Sequence, residues 1–268
     1  GLPVIIAEME RKSYRSDLTN KQWQLIEPHL PAEKERGRPR KTNLREVVNA
    51  LLYQLRTGCQ WDMIPEGFPP KSTVNGYFNA WKRDGTFDEI NRVLRENIRT
   101  KGGRNRMPSA SILDSQTSKT ASVSESTGYD GAKKIKGRKR HIAVDVLGLL
   151  LAVIVHSAAI DERSGAKMLM LRVKQWFPTT VKVWADGGYT GSKLQNWFLA
   201  ICQCILEIVK RPRKKFQIVK WRWIVKRSFR WLNWQRRLSK DYEYYEDSAE
   251  AWIKLAFINV MVHRLQPG

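Results

Sequence analysis

The sequence has little of what marks disulfide-rich, membrane-spanning or secreted proteins. Cys59, Cys202 and Cys204 are the three cysteines among 268 residues. They are too few and too unevenly spaced for a disulfide framework, and a single Cys-x-Cys pair is a weak zinc signal. No apolar run reaches the ~20 residues that cross a bilayer. The opening GLPVIIAEMERK lacks the basic start and the cleavage site of a signal peptide. We therefore expect a cytoplasmic protein without a membrane partner.

Acidic residues are scarce relative to basic ones. The chain has 26 Asp and Glu against 48 Lys and Arg, a net charge of +22. Such a surplus destabilises a compact chain by self-repulsion and favours a polyanionic partner, for which nucleic acid is the usual candidate. No acid occurs from 208 to 240, where basic residues alternate with tryptophans. A solvated charged face explains short runs of this kind, but a stretch of this length favours a track for a nucleic-acid backbone.

Other catalytic patterns are absent from the sequence. The four histidines have no metal-like spacing, and there is neither a nucleotide-phosphate loop nor a Ser-His-Asp pattern. These absences argue against a zinc enzyme, a nucleotide-dependent enzyme and a serine hydrolase.

The first hundred residues read as short helices with tight connections. This pattern is typical of a helix-turn-helix-like DNA reader, although a plain helical cap on the next domain would look the same. The basic stretch AEKERGRPRKT is interpreted as an arm or loop. Predicted helices and caps are NKQWQLIEPHL after Thr19, LREVVNALLYQLRTG after Thr42 or Asn43 with Gly58 as its end, TVNGYFNAWKRDG after Ser72, and Phe87 to Arg99.

The hydrophobic period changes after the basic stretch RTKGGRNRMP, which we take as a domain boundary. Strand-like and helix-like segments then alternate in the order β-β-β-α-β-α-β-α, which predicts a mixed α/β layer. The segments are SASILDSQTSK, the two halves of HIAVDVLGLLLAVIVHSA, DERSGAKMLMLRVKQWF, TVKVWAD, SKLQNWFLAI, CQCILEIVKR, the long helix WRWIVKRSFRWLNWQRRLSKDYEYY, and DSAEAWIKLAFINVMVHRL capped by Asp247 or Ser248.

Two aspartates follow apolar strand residues, Asp114 in ASILDSQT and Asp186 in VWAD. If their strands are neighbours, two carboxylates meet and repel unless a cation lies between them. Mg²⁺ prefers carboxylate oxygens, and two ions about 4 Å apart can assist phosphoryl transfer. Asp186 could equally be a turn residue. Gly187 and Gly188 allow close approach and a positive φ, and Tyr189 is either a stacking platform for a base or a half-buried aromatic.

Seven long motifs follow one another from Ser13 to Leu265. They are SYRSDLTNKQWQLIEPHLP, NLREVVNALLYQLRTGCQWDMIP, FPPKSTVNGYFNAWKRDGTFDEIN, SILDSQTSKT, GYDGAKKIKGRKRHIAVDVLGLLLAVIV, ADGGYTG and RRLSKDYE.

Together these motifs resemble the bacterial insertion-sequence transposases of the family named for insertion sequence five, within the insertion-sequence-four-like superfamily. The resemblance implies a small all-α, helix-turn-helix-like DNA-binding domain over 13–100 and an α/β, RNase H-like catalytic domain over 106–268. It implies an enzyme that binds the terminal inverted repeats of an element as a homo-oligomer, a dimer, on double-stranded DNA near the bacterial nucleoid. Cleavage and strand transfer would use Mg²⁺ or Mn²⁺, with two ions in an active form.

The family has an Asp-Asp-Glu triad, in which Asp114 and Asp186 match the first two acids. The third motif reads Arg-Trp-Val-Val-Glu-Arg-Thr-Phe in the family and RWIVKRSF here, so Lys226 occupies the glutamate position. Three explanations stay open: an inactivated or engineered copy, a protein kept for DNA binding, and a substitute acid such as Glu207. The alternatives to an active transposase are a catalytically inactive DNA-binding protein or repressor and a general RNase H-fold nuclease. The N-terminal helices argue against the nuclease.

Candidate DNA contacts are taken from the basic stretches and from their aromatic neighbours. The residues are Arg36, Arg38, Arg40, Lys41, Lys136, Arg138, Lys139, Arg140, Tyr189, Arg222, Arg227, Arg230, Arg236 and Arg237.

Overall fold

Four helices form the N-terminal region of the computed structural model, which describes residues 11–33, 39–121, 123–209 and 220–267. Short 3₁₀ turns at Glu27–His29 and Trp61–Met63 separate them. The predicted continuous helix after Thr19 is wrong, because it ends after one turn and a 3₁₀ turn with Pro28 as its second residue follows. The helices are α1 (Asn20–Trp23), α2 (Leu44–Thr57), α3 (Lys71–Arg83) and α4 (Thr86–Lys101).

The start of α2 shows which of two adjacent polar residues caps the helix. The side chain of Asn43, not that of Thr42, accepts hydrogen bonds from the backbone N–H groups of Arg45 and Glu46. At the other end Gly58 has φ 73°, the left-handed conformation that ends helices well. Both signals were readable locally. Ser72 is not a cap, because α3 already begins at Lys71 after Pro70.

Replacing Asn43 with alanine is expected to lower the free energy of unfolding by about 1 kcal/mol, since two helix N–H groups lose their acceptor. Urea denaturation followed by circular dichroism measures the change. Thr42→Ala is the matched control and should leave the unfolding midpoint in place. Equal losses in both variants would contradict the assignment of the cap to Asn43.

A six-stranded mixed sheet follows the helical region. Strand β3 pairs antiparallel with β1, β2 and β4, whereas β1, β5 and β6 run parallel to one another. The predicted α/β architecture is confirmed, with β2 as an additional strand that the sequence pattern did not show. The strands are β1 (Ala110–Lys119), β2 (Gly128–Asp130), β3 (Ile135–Val144), β4 (Leu150–Ser157), β5 (Lys182–Ala185) and β6 (Ile205–Ile208).

Helices cover both faces of this sheet. One face packs on α5 (Glu162–Trp176) and α6 (Ser192–Cys202). The other packs on α7 (Lys220–Asn233), α8 (Glu246–Leu265) and the N-terminal helices. The last helix begins at Glu246 after Tyr245, so Asp247 and Ser248 are not its caps. Within the described ranges, no helix combines the length and the apolar character needed to cross a bilayer.

The N-terminal helices and the sheet share one hydrophobic core. Leu51, Phe78 and Leu94 belong to the same buried cluster as Ile142 of β3 and Trp252 of α8. The rings of Phe78 and Trp252 stack with centroids 4.7 Å apart. The division into domains at 13–100 and 106–268 therefore stays a prediction, because the two regions pack together in the folded chain.

The basic run in β3 lies inside the protein, which corrects our expectation that it contacts DNA. Arg138 donates to the carbonyl oxygens of Ser126, Glu243 and Tyr244, and Arg140 donates to those of Leu238 and Lys240. All of these acceptors except Ser126 lie in the segment between α7 and α8. A side chain enclosed in this way has no surface left for a phosphate.

Lys139 and Arg237 need the same correction. Lys139 is 3% exposed and donates to the carbonyl oxygen of Ile160 on the α5 side of the sheet. Arg237 is also buried, where it pairs with Glu243 at 2.5 Å and its guanidinium lies 4.5 Å from the ring of Trp252. Both residues stabilise the fold instead of lining a DNA track.

Candidate functional site

The two strand-borne aspartates lie at the same level of neighbouring parallel strands. Ile112 of β1 is paired with Trp184 of β5, so Asp114 and Asp186 each follow two residues beyond that pair. Side chains alternate between the faces of a sheet with a period of two. Ile112 and Trp184 pack in the cluster on the α7 and α8 side, so both carboxylates belong to that face. The strand neighbourhood on which the predicted acid pair depends is therefore present.

The charge of each aspartate depends on its surroundings. Burial, with smaller contributions from the negative charges of Asp186 and Glu162, raises the pKa of Asp114 to about 6, although a hydrogen bond from the backbone of Ser115 acts to lower it. Asp186 accepts a hydrogen bond from the N–H of Gly188 at 2.9 Å. Its other oxygen lies 3.6 Å from the guanidinium of Arg222 on α7. Two negatively charged side chains therefore lie close together here, and the positive charge of Arg222 lies next to Asp186.

Position 226 faces the acid pair from α7. Arg222 contacts Asp186 near one end of the helix, and Asn233 lies 3.3 Å from Gln116 of β1 at the other end. Residues four and seven positions apart share a helix face, so Lys226 lies on the same face between these two contacts. Its side chain is exposed. The position that the resemblance assigns to the third acid therefore lies on the face of α7 that carries Arg222, and a lysine occupies it.

Glu207, the possible substitute acid, already has a partner within the chain. Its carboxylate pairs with Lys182 at 2.5 Å. It is level with Trp184 on β6, which lies beyond β5 as seen from Asp114. A ligand on that side of β5 is remote from the first aspartate, which argues against the substitute-acid explanation.

The residues present fit one divalent cation better than two. Asp114 and Asp186 are hard oxygen ligands whose mutual repulsion a cation would relieve. In the part of the chain that the structure describes, however, no group of three or more His, Cys, Asp or Glu side chains is arranged to hold a metal ion. Lys226 and Arg222 bring positive charge to the remaining side of the acid pair.

Tyr189 and the glycines before it differ from our expectations. Tyr189 is 1% exposed and packs in the cluster on the α5 and α6 side, so it cannot stack on a base. Neither Gly187 nor Gly188 is among the glycines with positive φ. A Cβ atom on Gly187 would meet nothing within 4 Å. Open space at Gly187 is compatible with close approach by a ligand, but a required backbone conformation does not explain the pair.

Helix α7 and the turn after it carry the exposed basic residues Lys226, Arg230 and Arg236, together with half-buried Arg227. The guanidinium of Arg227 lies 4.6 Å from the ring centre of Trp223, and that of Arg230 lies 5.8 Å from Trp234. Arg236 is exposed in the following 3₁₀ turn. These side chains form a basic, aromatic surface next to the acid pair.

The other predicted DNA contacts are spread over the molecule. Lys136 is exposed at the start of β3, and Arg40 and Lys41 precede α2. Arg40 donates to the carbonyl oxygen of Pro31 at 3.0 Å, so part of its hydrogen-bonding capacity is used within the chain. Arg36 and Arg38 lie outside the described residues.

Glu162 is a residue next to the site that sequence reasoning missed. It begins α5, and its carboxylate accepts a hydrogen bond from the hydroxyl of Ser115, the neighbour of Asp114, at 2.6 Å. An acid in the first turn of a helix is common because of the helix dipole. No local signal distinguished it from such a residue.

Comparison with known proteins identifies two matching regions. A family model described as "Transposase DDE domain" matches residues 105–261, more than half of the chain, and the model "Putative transposase of IS4/5 family" matches residues 18–91. An uncharacterized protein of Sinorhizobium fredii, y4sN, is 31% identical over 77 residues, which are 29% of this chain. The chain spans 62% of the length of that relative.

Proposed function

The chain belongs to the transposases with a DDE domain, of the IS4/5-like group, and from this premise we propose that it binds the terminal repeats of an insertion sequence and has a weakened strand-cleavage site. The observation that carries the proposal is the acid pair on β1 and β5 faced by Arg222 and Lys226 of α7. Double-stranded DNA is the proposed substrate. Assembly of copies on DNA is part of the same proposal and follows from the resemblance.

Asp114 and Asp186 are the residues that would hold a divalent cation. Bound there, Mg²⁺ or Mn²⁺ would activate the attacking oxygen and stabilise charge on the phosphate. The protein contributes the position of the ligands: Ser115 and Gly188 donate backbone N–H groups to the two carboxylates at 2.8 and 2.9 Å. Water for the nick and a 3′-hydroxyl for strand joining are the proposed nucleophiles.

Arg222 and Lys226 change the balance of charge at this site. Arg222 lies close enough to Asp186 to offset part of its negative charge. Lys226 adds a second positive charge on the same helix face, where a carboxylate would be needed to complete a triad. Both changes favour a phosphate over a metal ion. This charge balance supports a transposase that retains its affinity for DNA but cleaves the strand more slowly.

A catalytically inactive DNA-binding protein or repressor is the second candidate. The Arg222–Asp186 contact favours it, because that pair already gives Asp186 a counter-charge from the chain itself. The two candidates share the DNA surface and differ in whether Asp114 and Asp186 bind a metal ion. Metal affinity therefore separates them without any assay of cleavage.

Replacing Asp114 with asparagine is expected to weaken Mn²⁺ binding by at least about tenfold. Mutation of a residue that only hydrogen-bonds to a metal ligand already lowers metal affinity by about 10- to 100-fold. DNA affinity should stay the same or rise slightly, since Asp114 is half-buried and its charge repels phosphate. Titration calorimetry with Mn²⁺ and fluorescence anisotropy with DNA measure the two affinities on the same preparations.

Asp88→Asn is the matched control for this experiment. Asp88 is an aspartate of α4 that pairs with Lys254 at 2.8 Å, on the α8 side of the molecule. It removes the same charge, and Mn²⁺ affinity should be unaffected. If the wild-type protein binds no Mn²⁺, the inactive DNA-binding candidate replaces the transposase proposal. If both variants lose Mn²⁺ affinity equally, Asp114 is not a specific ligand.

A further inference from the structure

Glu162 lies on the opposite face of the sheet from the acid pair. Its partners Ser115 and Tyr189 lie on the α5 and α6 side of the sheet. His141 is the strand partner of Ser115, and Lys139 is two residues before His141 on β3, so both side chains lie on that side as well. The carboxylate nevertheless lies close enough to Asp114 that its charge raises the pKa of that aspartate. Glu162 is therefore beneath the site and not in it.

One contact joins Glu162 to the support of Asp114. The Ser115 hydroxyl donates to Oε2 of Glu162 at 2.6 Å. The backbone N–H of the same serine donates to Oδ1 of Asp114 at 2.8 Å. Fixing Ser115 from below therefore fixes the hydrogen-bond donor that orients the first aspartate.

A second set of contacts joins Glu162 to the support of Asp186. The hydroxyl of Tyr189 lies 3.5 Å from the same Oε2 atom. A Cβ atom on Gly188 would lie 4.0 Å from Cγ of Glu162, so the glutamate side chain packs under the turn. That turn presents the Gly188 N–H to Asp186 at 2.9 Å. Glu162 thus contacts Ser115, whose N–H binds Asp114, and lies next to the turn at Gly188, whose N–H binds Asp186.

Basic groups keep Glu162 in place as an ionised acceptor. Lys133 and Lys139 lie 3.4 and 3.5 Å from Oε1, and Nε2 of His141 lies 3.1 Å from Oε2. Burial acts to raise the pKa of Glu162, but contacts with His141 and Ser115 and the charge of Lys133 hold it far below its usual range. Both oxygens of Glu162 therefore already have basic partners within the chain.

The histidine behind Glu162 is itself fixed. Nδ1 of His141 lies 2.9 Å from Nε2 of His156, whose Nδ1 donates to the carbonyl oxygen of Ser157 at 2.8 Å. The backbone of α5 closes over this pair at Gly165, where an added Cβ would fall 2.3 Å from Cε1 of His141. Helix α5, which carries Glu162, is therefore seated tightly on the sheet.

We propose that Glu162 is a positioning residue that holds Asp114 and Asp186 in register from beneath the sheet, through Ser115 and the turn at Gly188. The inference rests on the proposed function for its purpose, the alignment of two metal ligands. Its physical content, a coupling between the supports of two carboxylates, can be measured without metal or DNA.

The test uses the full chain with the isosteric variant Glu162→Gln, labelled with ¹⁵N for NMR. The amide signals of Ser115 and Gly188 report their hydrogen bonds to Asp114 and Asp186. Both signals should shift in Glu162→Gln. Glu250→Gln is the matched control: this carboxylate also pairs with a basic side chain, that of Arg172 at 2.6 Å, but lies on α8. It should leave both signals in place.

A second variant and a second readout keep the proposal open to refutation. Ser115→Ala removes one link and should shift the amide of residue 115 while that of Gly188 stays. Mn²⁺ affinity should fall about tenfold or more in Glu162→Gln, the usual cost of losing an outer partner of a ligand. Unchanged amide signals in Glu162→Gln, or a shift of Ser115 alone, would overturn the proposal. Loss of Mn²⁺ binding in the wild type would refute the proposed metal site and leave the amide test valid.

Discussion

Replacing Lys226 with glutamate is expected to raise Mg²⁺-dependent cleavage of the cognate DNA ends by about 10³-fold or more, because several kcal/mol of barrier are at stake and each 1.36 kcal/mol is a factor of ten. The same change should slightly weaken DNA binding at low salt. Lys226 lies on the helix face between the contacts that α7 makes with Asp186 and Gln116. A carboxylate there would add the third acid of a metal site that now has two.

The substitution should also relieve repulsion along α7. Arg222, Lys226 and Arg230 are spaced four residues apart, so they form a stripe of like charges. Glutamate at 226 would pair with both arginines and draw Arg222 away from Asp186, where its guanidinium now lies at 3.6 Å. The gain in stability is small, a few tenths of a kcal/mol per pair. The gain in metal affinity should be the larger effect.

A nicking assay on DNA ends from the source locus, with and without Mg²⁺, measures this prediction. Lys101→Glu changes the net charge equally at the far end of α4 and serves as the control. If the lysine form cuts as well as the glutamate form, position 226 is not the third ligand. If neither form cuts although both bind DNA, the inactive DNA-binding candidate gains support.

The acid pair was readable from the sequence because its signal is local. Asp114 and Asp186 each follow apolar strand residues, and a mixed layer brings such strands together when they are parallel neighbours. The structure places β1 beside β5 with Ile112 opposite Trp184. The helix-end signals at Asn43 and Gly58 were local for the same reason.

The basic run of β3 was misread because burial depends on partners far away in the chain. Arg138 and Arg140 find their acceptors at residues 238 to 244, about a hundred positions later. A central strand is covered on both faces, so charge in it must be neutralised or hydrogen-bonded inside. Composition shows how many charged residues a segment has, but not whether their side chains are buried or exposed. Glu162 was missed for the same reason, since its role depends on contacts that this residue of α5 makes with Ser115 of β1 and His141 of β3.

DNA binding should depend steeply on salt, with affinity falling about 10³-fold or more between 50 and 200 mM, as expected for a protein that neutralises six to ten phosphates. The net charge of +22 supports this expectation. So does the exposed surface of α7, where Arg230 and its neighbours stand beside Trp223 and Trp234. Anisotropy titrations of a labelled duplex over a series of salt concentrations give the slope of log affinity against log salt.

The arginines divide into two groups that this measurement can separate. Exposed Arg230 and Arg236 should each contribute about one unit of slope, so Arg230→Ala and Arg236→Ala should flatten it by about that amount. Arg140 is 1% exposed and donates to two carbonyl oxygens. Arg140→Ala should leave the slope unchanged and instead lower the free energy of unfolding by about 1–3 kcal/mol, since buried acceptors lose their donor. A slope that is flat in the wild type would refute phosphate binding as the use of the surplus charge. A slope changed by Arg140→Ala in the folded protein would mean that β3 opens on DNA, contrary to its enclosure between α5 and the loop before α8.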